Sequence, residues 1–399
     1  MKYDFTTIMD RKGHDAIAVD VIPIPGATVK EGFSTIPMWV ADMNFPTLPT
    51  ILEEISERLQ HHHFGYFNPS EAYFESIIRW HKVRYGVDGL SKTHIGYENG
   101  VLGCVASAVQ AFTAPGEAVL MHSPTYIGFT GTLKNNGRKI VLSDLKRDSD
   151  GVWRMDYEDM EKQLINENIH CVIFCSPHNP TGRVWEREEI EKAMVLFKKY
   201  DCVVIADEIW ADLVLPGAKH IPAQSVSEDA KNRTIAVYAP TKTFNLAGLV
   251  GSYHIIYNKY LRDRVMKVSE MSHYNMGNVL SMHALIGAYR PEGCQWVDEL
   301  CQVLGDNADF AYQYITQHFK GVSLAKPQGT YMLDCEQWCK DHGTSLDDLL
   351  AAGVSVGVIW QDGRPFNRPW AIRMNLALPH TLVVEAMKRL DQYVFNASK

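Results

Sequence analysis

The sequence predicts an α/β protein: a large domain with a mostly parallel central sheet flanked by helices, and a smaller α+β domain drawn from both termini. Three observations carry this prediction. From about residue 100 to about residue 260, short apolar runs alternate with amphipathic stretches, as strands buried on both faces and their crossover helices require. Towards both ends the pattern changes to helices with few strands, and the first of these follows a proline-rich entry at Pro46 and Pro49. The length, 399 residues, exceeds what one hydrophobic core usually organises. The large domain is placed at 51–288 and the small one at 1–50 together with 289–399.

In chain order, 50–63 patterns as a helix, and Val101–Phe112, Tyr157–Asn166 and 186–200 as amphipathic helices, the last opening near Thr181 or Gly182. Buried strands are predicted at 117–122, 139–142, Cys171–Cys175, 202–206, Thr234–Tyr238 and 253–257. The C-terminal part adds strands at 329–334 and 371–376. His61, His62 and His63 resemble a metal cluster on paper. Consecutive helix positions fan out by about 100° each, so these three read as a solvated helix end, and no metal site is expected.

Composition narrows the function classes. Hydrophobic residues make up 46% and charged residues 22%, which is ordinary for a folded soluble domain. A formal net charge of −8 with no basic run argues against nucleic acid and anionic membranes as partners. The N-terminus lacks the apolar stretch of a signal peptide, and no run approaches the ~18 apolar residues that span a bilayer. Eight scattered cysteines without a CxxC pair read as reduced, mostly buried thiols, which points to the cytoplasm.

Open parallel sheets bind ligands beyond the carboxyl ends of their strands. Several predicted strands here end in chemically useful residues: Tyr126, Asn179, Asp207 and Lys242 all follow apolar runs. Lys242 sits in Ala-Pro-Thr-Lys-Thr-Phe-Asn-Leu-Ala-Gly (239–248), a strand exit where partial desolvation makes an amine nucleophilic. Asn-Gly-Val-Leu-Gly (99–103) opens a helix and can offer backbone N–H groups to a phosphate. Arg373 precedes a short strand and suits a carboxylate through paired hydrogen bonds.

Further motifs run in order along the chain: Trp-Val-Ala-Asp-Met (39–43), Phe-Gly-Tyr (64–66), Pro-Thr-Tyr (124–126), His-Asn-Pro-Thr-Gly-Arg (178–183), Asp-Glu-Ile (207–209), Gly-Thr-Tyr (329–331) and Arg-Met-Asn-Leu-Ala (373–377). With the lysine segment, this series resembles fold-type I pyridoxal-phosphate enzymes. More narrowly it resembles the MalY/PatB-type cystathionine β-lyases and C–S lyases within the class I/II aminotransferases. The resemblance implies pyridoxal 5′-phosphate as cofactor, with Lys242 joining its aldehyde and Asp207 facing its ring nitrogen. It implies Asn179 at the phenolic oxygen, Tyr126 against the ring, and Gly100, Val101, Leu102 and Thr241 around the phosphate. Tyr66 would reach the phosphate of a neighbouring subunit, making a homodimer with composite sites. Arg373, Tyr331 and Ala41 would meet a small amino-acid substrate.

The implied activity is β-elimination from cystathionine or a cysteine S-conjugate to a thiol, pyruvate and ammonia. An aminotransferase of small amino acids uses the same residues. A regulatory protein that binds a transcription factor is the alternative of another class. The sequence also departs from the family pattern. Trp210 stands where relatives carry Tyr or His, Asn44 where they often carry Asp, Gly128 where Pro is common, and Ala239 lacks a hydroxyl. The segment 362–370 replaces a glycine-rich loop, and its Arg364 and Arg368 read either as contacts for an acidic substrate side chain or as an exposed loop.

Overall fold

Seven strands form the central sheet of the computed structural model, which describes residues 1–328 and 331–396. They are β1 (Ile95–Asn99), β2 (Ala118–Ser123), β3 (Lys139–Asp144), β4 (Cys171–Cys175), β5 (Val203–Asp207), β6 (Thr234–Tyr238) and β7 (Gly251–Ile255). Their spatial order is β1-β7-β6-β5-β4-β2-β3. From β6 to β3 every pairing is parallel, whereas β7 runs antiparallel to both β6 and β1. The apolar runs read as strands are therefore strands, and the alternation of strand and helix produces the parallel sheet it predicts.

Two differences from the sequence reading have physical causes. Strand β1 was not anticipated, because Ile-Gly-Tyr-Glu-Asn carries a charge at a buried position. Glu98 is sealed inside the fold by neighbours distant in sequence, accepting from Ser269 Oγ at 3.2 Å and pairing with His254 Nδ1 of β7 at 2.9 Å. The helix expected to open near Thr181 starts instead at Arg187, where Glu186 and Glu189 form a capping box. Residues 178–183 are closed on themselves by the His178 N–H to Arg183 carbonyl and Gly182 N–H to His178 carbonyl bonds, both 2.8 Å. The three histidines lie beyond the helix Pro49–Leu59 and are exposed.

A second, antiparallel sheet consists of β8 (Tyr331–Asp334), β9 (Gln361–Asp362) and β10 (Ala371–Met374), in the order β8-β10-β9. It packs with the helices Leu346–Ser355 and His380–Leu390 around Trp360, Leu349, Ile372 and Met387. The long helix Pro291–His318 serves both cores: Trp296 and Leu300 enter the large one, Ala311 and Ile315 the small one. Phe5 and Phe45 meet edge to face at 5.3 Å within the large core, so the N-terminal strip is tied to the body of the protein. All eight cysteines are free thiols, and only Cys294 is less than buried. Among the described residues no helix is long and apolar enough to cross a membrane.

Candidate active site

The carboxyl ends of β2, β4, β5 and β6 open into a cleft of about 510 Å³ between the two sheets. Asp207 is the last residue of β5, and Asn179 follows β4 in the closed turn just described. Tyr126 caps the helix Ile127–Asn135 after β2. Lys242 sits in the single turn Pro240–Thr243 that follows β6, with Pro240 starting the turn where a missing N–H costs nothing. Arg373 reaches the same space from β10 of the small sheet. The cleft thus gathers Ala41, Gly100, Val101, Leu102, Tyr126, Asn179, Asp207, Trp210, Thr241, Lys242 and Arg373 from seven stretches of sequence.

The electrostatics of these groups are those of a dry site. Asp207 is buried, and desolvation pushes its carboxyl up to about 7 although the Ile209 N–H donates to it at 3.0 Å. Lys242 is pushed below the usual lysine range by burial first and by the Arg373 charge second. Its Nζ donates to the Ala41 carbonyl at 3.3 Å. Arg373 is buried and lowered to about 10 by desolvation. It donates to the Trp39 carbonyl at 2.9 Å and to Asn179 Oδ1 at 3.4 Å, and its guanidinium lies 4.8 Å from the centre of the Phe366 ring. Among the described residues no carboxylate pairs with it. Desolvating an ion costs several kcal/mol, more than two neutral acceptors and an aromatic face recover. A ligand carboxylate would supply the missing counter-charge.

At the other end of the cleft, Gly100 takes φ +86°, a conformation that favours glycine, and turns the chain into the helix Val101–Phe112. The helix's own bonds begin with the Gly103 and Cys104 N–H groups, both on the Gly100 carbonyl. Those of Val101 and Leu102 have no acceptor among the described residues and are directed by the helix geometry beyond its N-terminus. Gly128 proves to be a packing device, since a Cβ there would lie 2.4 Å from the Tyr126 ring and 2.8 Å from Leu102. Asn44 has found another partner: Arg11 donates to Asn44 Oδ1 at 2.8 Å and to Asp42 Oδ2 at 2.6 Å.

Pyridoxal phosphate fits these residues. A buried carboxylate raised chiefly by desolvation, a lysine with a lowered pKa, a helix N-terminus and a buried guanidinium with no carboxylate partner among the described residues match a protonated ring nitrogen, an aldehyde, a phosphate and a substrate carboxylate. Glu208, next to Asp207, faces away from the cleft and accepts from His220 and Tyr238, each at 2.7 Å. Tyr66 does not join the cleft; it is fully exposed. Tyr331 pairs with Met374 through its backbone, while its side chain, like Gly329 and Thr330, lies outside the described residues. Arg364 is held by Asp362 at 2.8 Å and by Asp347 of the helix Leu346–Ser355, and Arg368 lies 5.2 Å from the Trp153 ring.

Sequence reasoning passed over Trp39, Phe366, Gln361 and Tyr274 as part of the cleft wall. Phe366 stood in a segment noted for its departure from the family pattern, which was the available signal. Tyr274 had none: it lies over the first turn of the helix Val101–Phe112, where a Cβ on Gly103 would strike its ring at 1.6 Å.

Comparison with known proteins agrees with this geometry. The family model described as aminotransferase class I and II matches residues 36–390. Cystathionine beta-lyase PatB of Bacillus subtilis is 35% identical over 298 residues, covering 75% of this chain and 76% of that protein. Among solved structures, the PLP-bound C–S lyase of Staphylococcus hominis superposes with a TM-score of 0.89 at 29% identity, each chain fully covered. Cystalysin of Treponema denticola, whose structure contains pyridoxal 5′-phosphate, gives 0.87 at 28% identity over 98% of both chains. With a family model spanning both sheets and the cleft between them, this chain belongs to the aminotransferase class I and II family.

Proposed function

We propose that the protein is a pyridoxal-phosphate-dependent carbon–sulfur β-lyase that converts cystathionine or another cysteine S-conjugate to a thiol, pyruvate and ammonia. The observation that carries the chemistry is the meeting of Lys242, Asp207, Asn179, Tyr126 and Arg373 in one cleft. The choice of lyase rests on likeness to proteins named cystathionine beta-lyase and C–S lyase. When bound, pyridoxal phosphate supplies an aldehyde for the substrate's amine and a ring that accepts electrons from Cα.

The chain's residues do the rest. Arg373 takes the α-carboxylate and so fixes which bond at Cα faces Lys242. Lys242 removes the Cα proton, a task suited to an amine whose pKa is lowered by burial. The ammonium it becomes is placed to protonate the departing sulfur, so the Cα–H and Cβ–S bonds break and the thiol leaves. What remains of the substrate is hydrolysed to pyruvate and ammonia. Asp207 holds the ring nitrogen protonated, Asn179 bonds the phenolic oxygen, and Gly100, Val101, Leu102 and Thr241 hold the phosphate. Trp210 lines the cleft beside Lys242 and offers only an N–H, unlike the ionisable Tyr or His of relatives.

The reading extends to a homodimer whose sites are shared between copies, with Tyr66 reaching the partner's phosphate. Its support is exposure: Tyr66 at 102%, Phe64 at 57% and Phe67 at 38% are exposed aromatic residues within one short segment.

Incubating the holoenzyme with cystathionine and no 2-oxo acid is expected to release pyruvate over many turnovers. One equivalent of product followed by arrest would overturn the lyase in favour of an aminotransferase. Arg373→Leu is expected to raise KM about 100-fold, because breaking a buried charge pair costs about 2–5 kcal/mol. Its kcat at saturation should fall much less, and the measurement is steady-state pyruvate release across substrate concentration.

A further inference from the structure

Gln361 occupies an unusual place. In the antiparallel pairing of β9 with β10 it stands directly opposite Arg373. Directly opposed residues project from the same face, with Cβ atoms about 4.5–5.5 Å apart. Both side chains line the cleft, together with Phe366, against which the guanidinium rests. The Gln361 amide makes no hydrogen bond among the described residues, and its Oε1 is sealed from solvent without a partner. With that end enclosed, the amide NH2 is the end left to a ligand. An amide held beside a buried guanidinium, with donors free, is half of a carboxylate site.

We propose that Gln361 binds the substrate's α-carboxylate together with Arg373, donating a third hydrogen bond to the oxygens that the guanidinium fork engages. A carboxylate has about four acceptor positions, and the fork fills two of them. The role follows from the register of a two-residue strand, and it rests on the reading of Arg373 as the carboxylate clamp. It makes the enzyme demand a free carboxylate, and it leaves the substrate's side chain unread by this residue.

The test uses the holoenzyme and L-alanine, which has no leaving group at Cβ, so that binding is read from the cofactor's absorbance without elimination. L-Alanine methyl ester serves as the carboxylate-free probe. Gln361→Leu is expected to weaken L-alanine about tenfold, the effect of one hydrogen bond to a charged group, and to leave the ester within about twofold. Gln361→Glu is expected to weaken L-alanine further through like charge, and Gln361→Asn to fall between wild type and Gln361→Leu. Equal weakening of both probes, or of neither, would overturn the proposal, as would a loss confined to substrates with polar side chains in steady-state assays. Unchanged cofactor absorbance in the unliganded variants separates lost contact from lost fold. If wild type binds L-alanine in this pattern yet releases no pyruvate from any cysteine conjugate, the lyase reading fails while the role of Gln361 stands.

Discussion

Lys242→Ala is expected to reduce pyruvate release from cystathionine by at least about 10⁴-fold, the largest effect of any single change in this protein. General-base removal alone is worth up to about 10⁴, and in the proposed function the same residue is also the cofactor's covalent anchor. No neighbour replaces it. The other cations near the site are Arg373, which cannot act as a base at neutral pH, and Arg11, which is committed to Asp42 and Asn44. The fold should survive, since Lys242 contributes one hydrogen bond to the Ala41 carbonyl while the turn that bears it is held by its neighbours. Thr243 donates to Asp212 at 3.0 Å, and the Leu246 N–H closes on the Thr241 carbonyl at 3.0 Å. Added methylamine should restore part of the rate, because it returns an amine to the vacated space. A variant with near wild-type turnover would exclude Lys242 as the base.

The second large effect is at Asp207. Asp207→Asn is expected to lower kcat by about 10³-fold, the upper range for losing one preorganised electrostatic contact in a dry site. Its carboxyl also predicts how the cofactor-free chain responds to pH. The folded chain keeps a proton on Asp207 up to pH about 7, whereas the unfolded chain releases it near 3.8. Between those values the folded state holds a proton at this group that the unfolded state has lost, so the group's contribution to stability falls as pH rises from about 4 to about 7, by about 4 kcal/mol at most. Buried His81, His122 and His178, each lowered by desolvation, act in the opposite sense, so the decline is read as a difference: in urea denaturation across that range the apoprotein should lose stability relative to Asp207→Asn as pH rises. Loading the cofactor should remove that relative decline, because a protonated ring nitrogen would stabilise the ionised carboxylate that burial otherwise disfavours. A wild-type apoprotein that gains stability relative to Asp207→Asn over the same window would contradict the assignment.

Much of the large sheet was legible because its strands are apolar runs that end abruptly in polar residues. Cys171–Cys175 and Thr234–Tyr238 carry both the strand and the site that follows it. Strand β1 was hidden because Glu98 looks like a surface residue until His254 and Ser269, more than 150 positions away, are folded against it. The site's residues were legible through ordered motifs, and the geometry brings eleven of those named into one cleft. Gln361 escaped because a two-residue strand has no periodicity and its importance lies in what it opposes. Tyr66 was named from its motif alone; within one chain it meets no part of the cleft.

Arg373 has one more consequence. It belongs to the small sheet, yet it reaches Asn179 beyond a strand of the large one. In the proposed function this residue binds the substrate's carboxylate, and it is also a tether between the two halves of the molecule. Occupancy and lobe spacing are then linked quantities: a carboxylate that neutralises the guanidinium changes the free energy of the contact holding the halves in register. By reciprocity, anything that alters their spacing alters how tightly the enzyme holds its substrate, without touching the chemistry at Lys242.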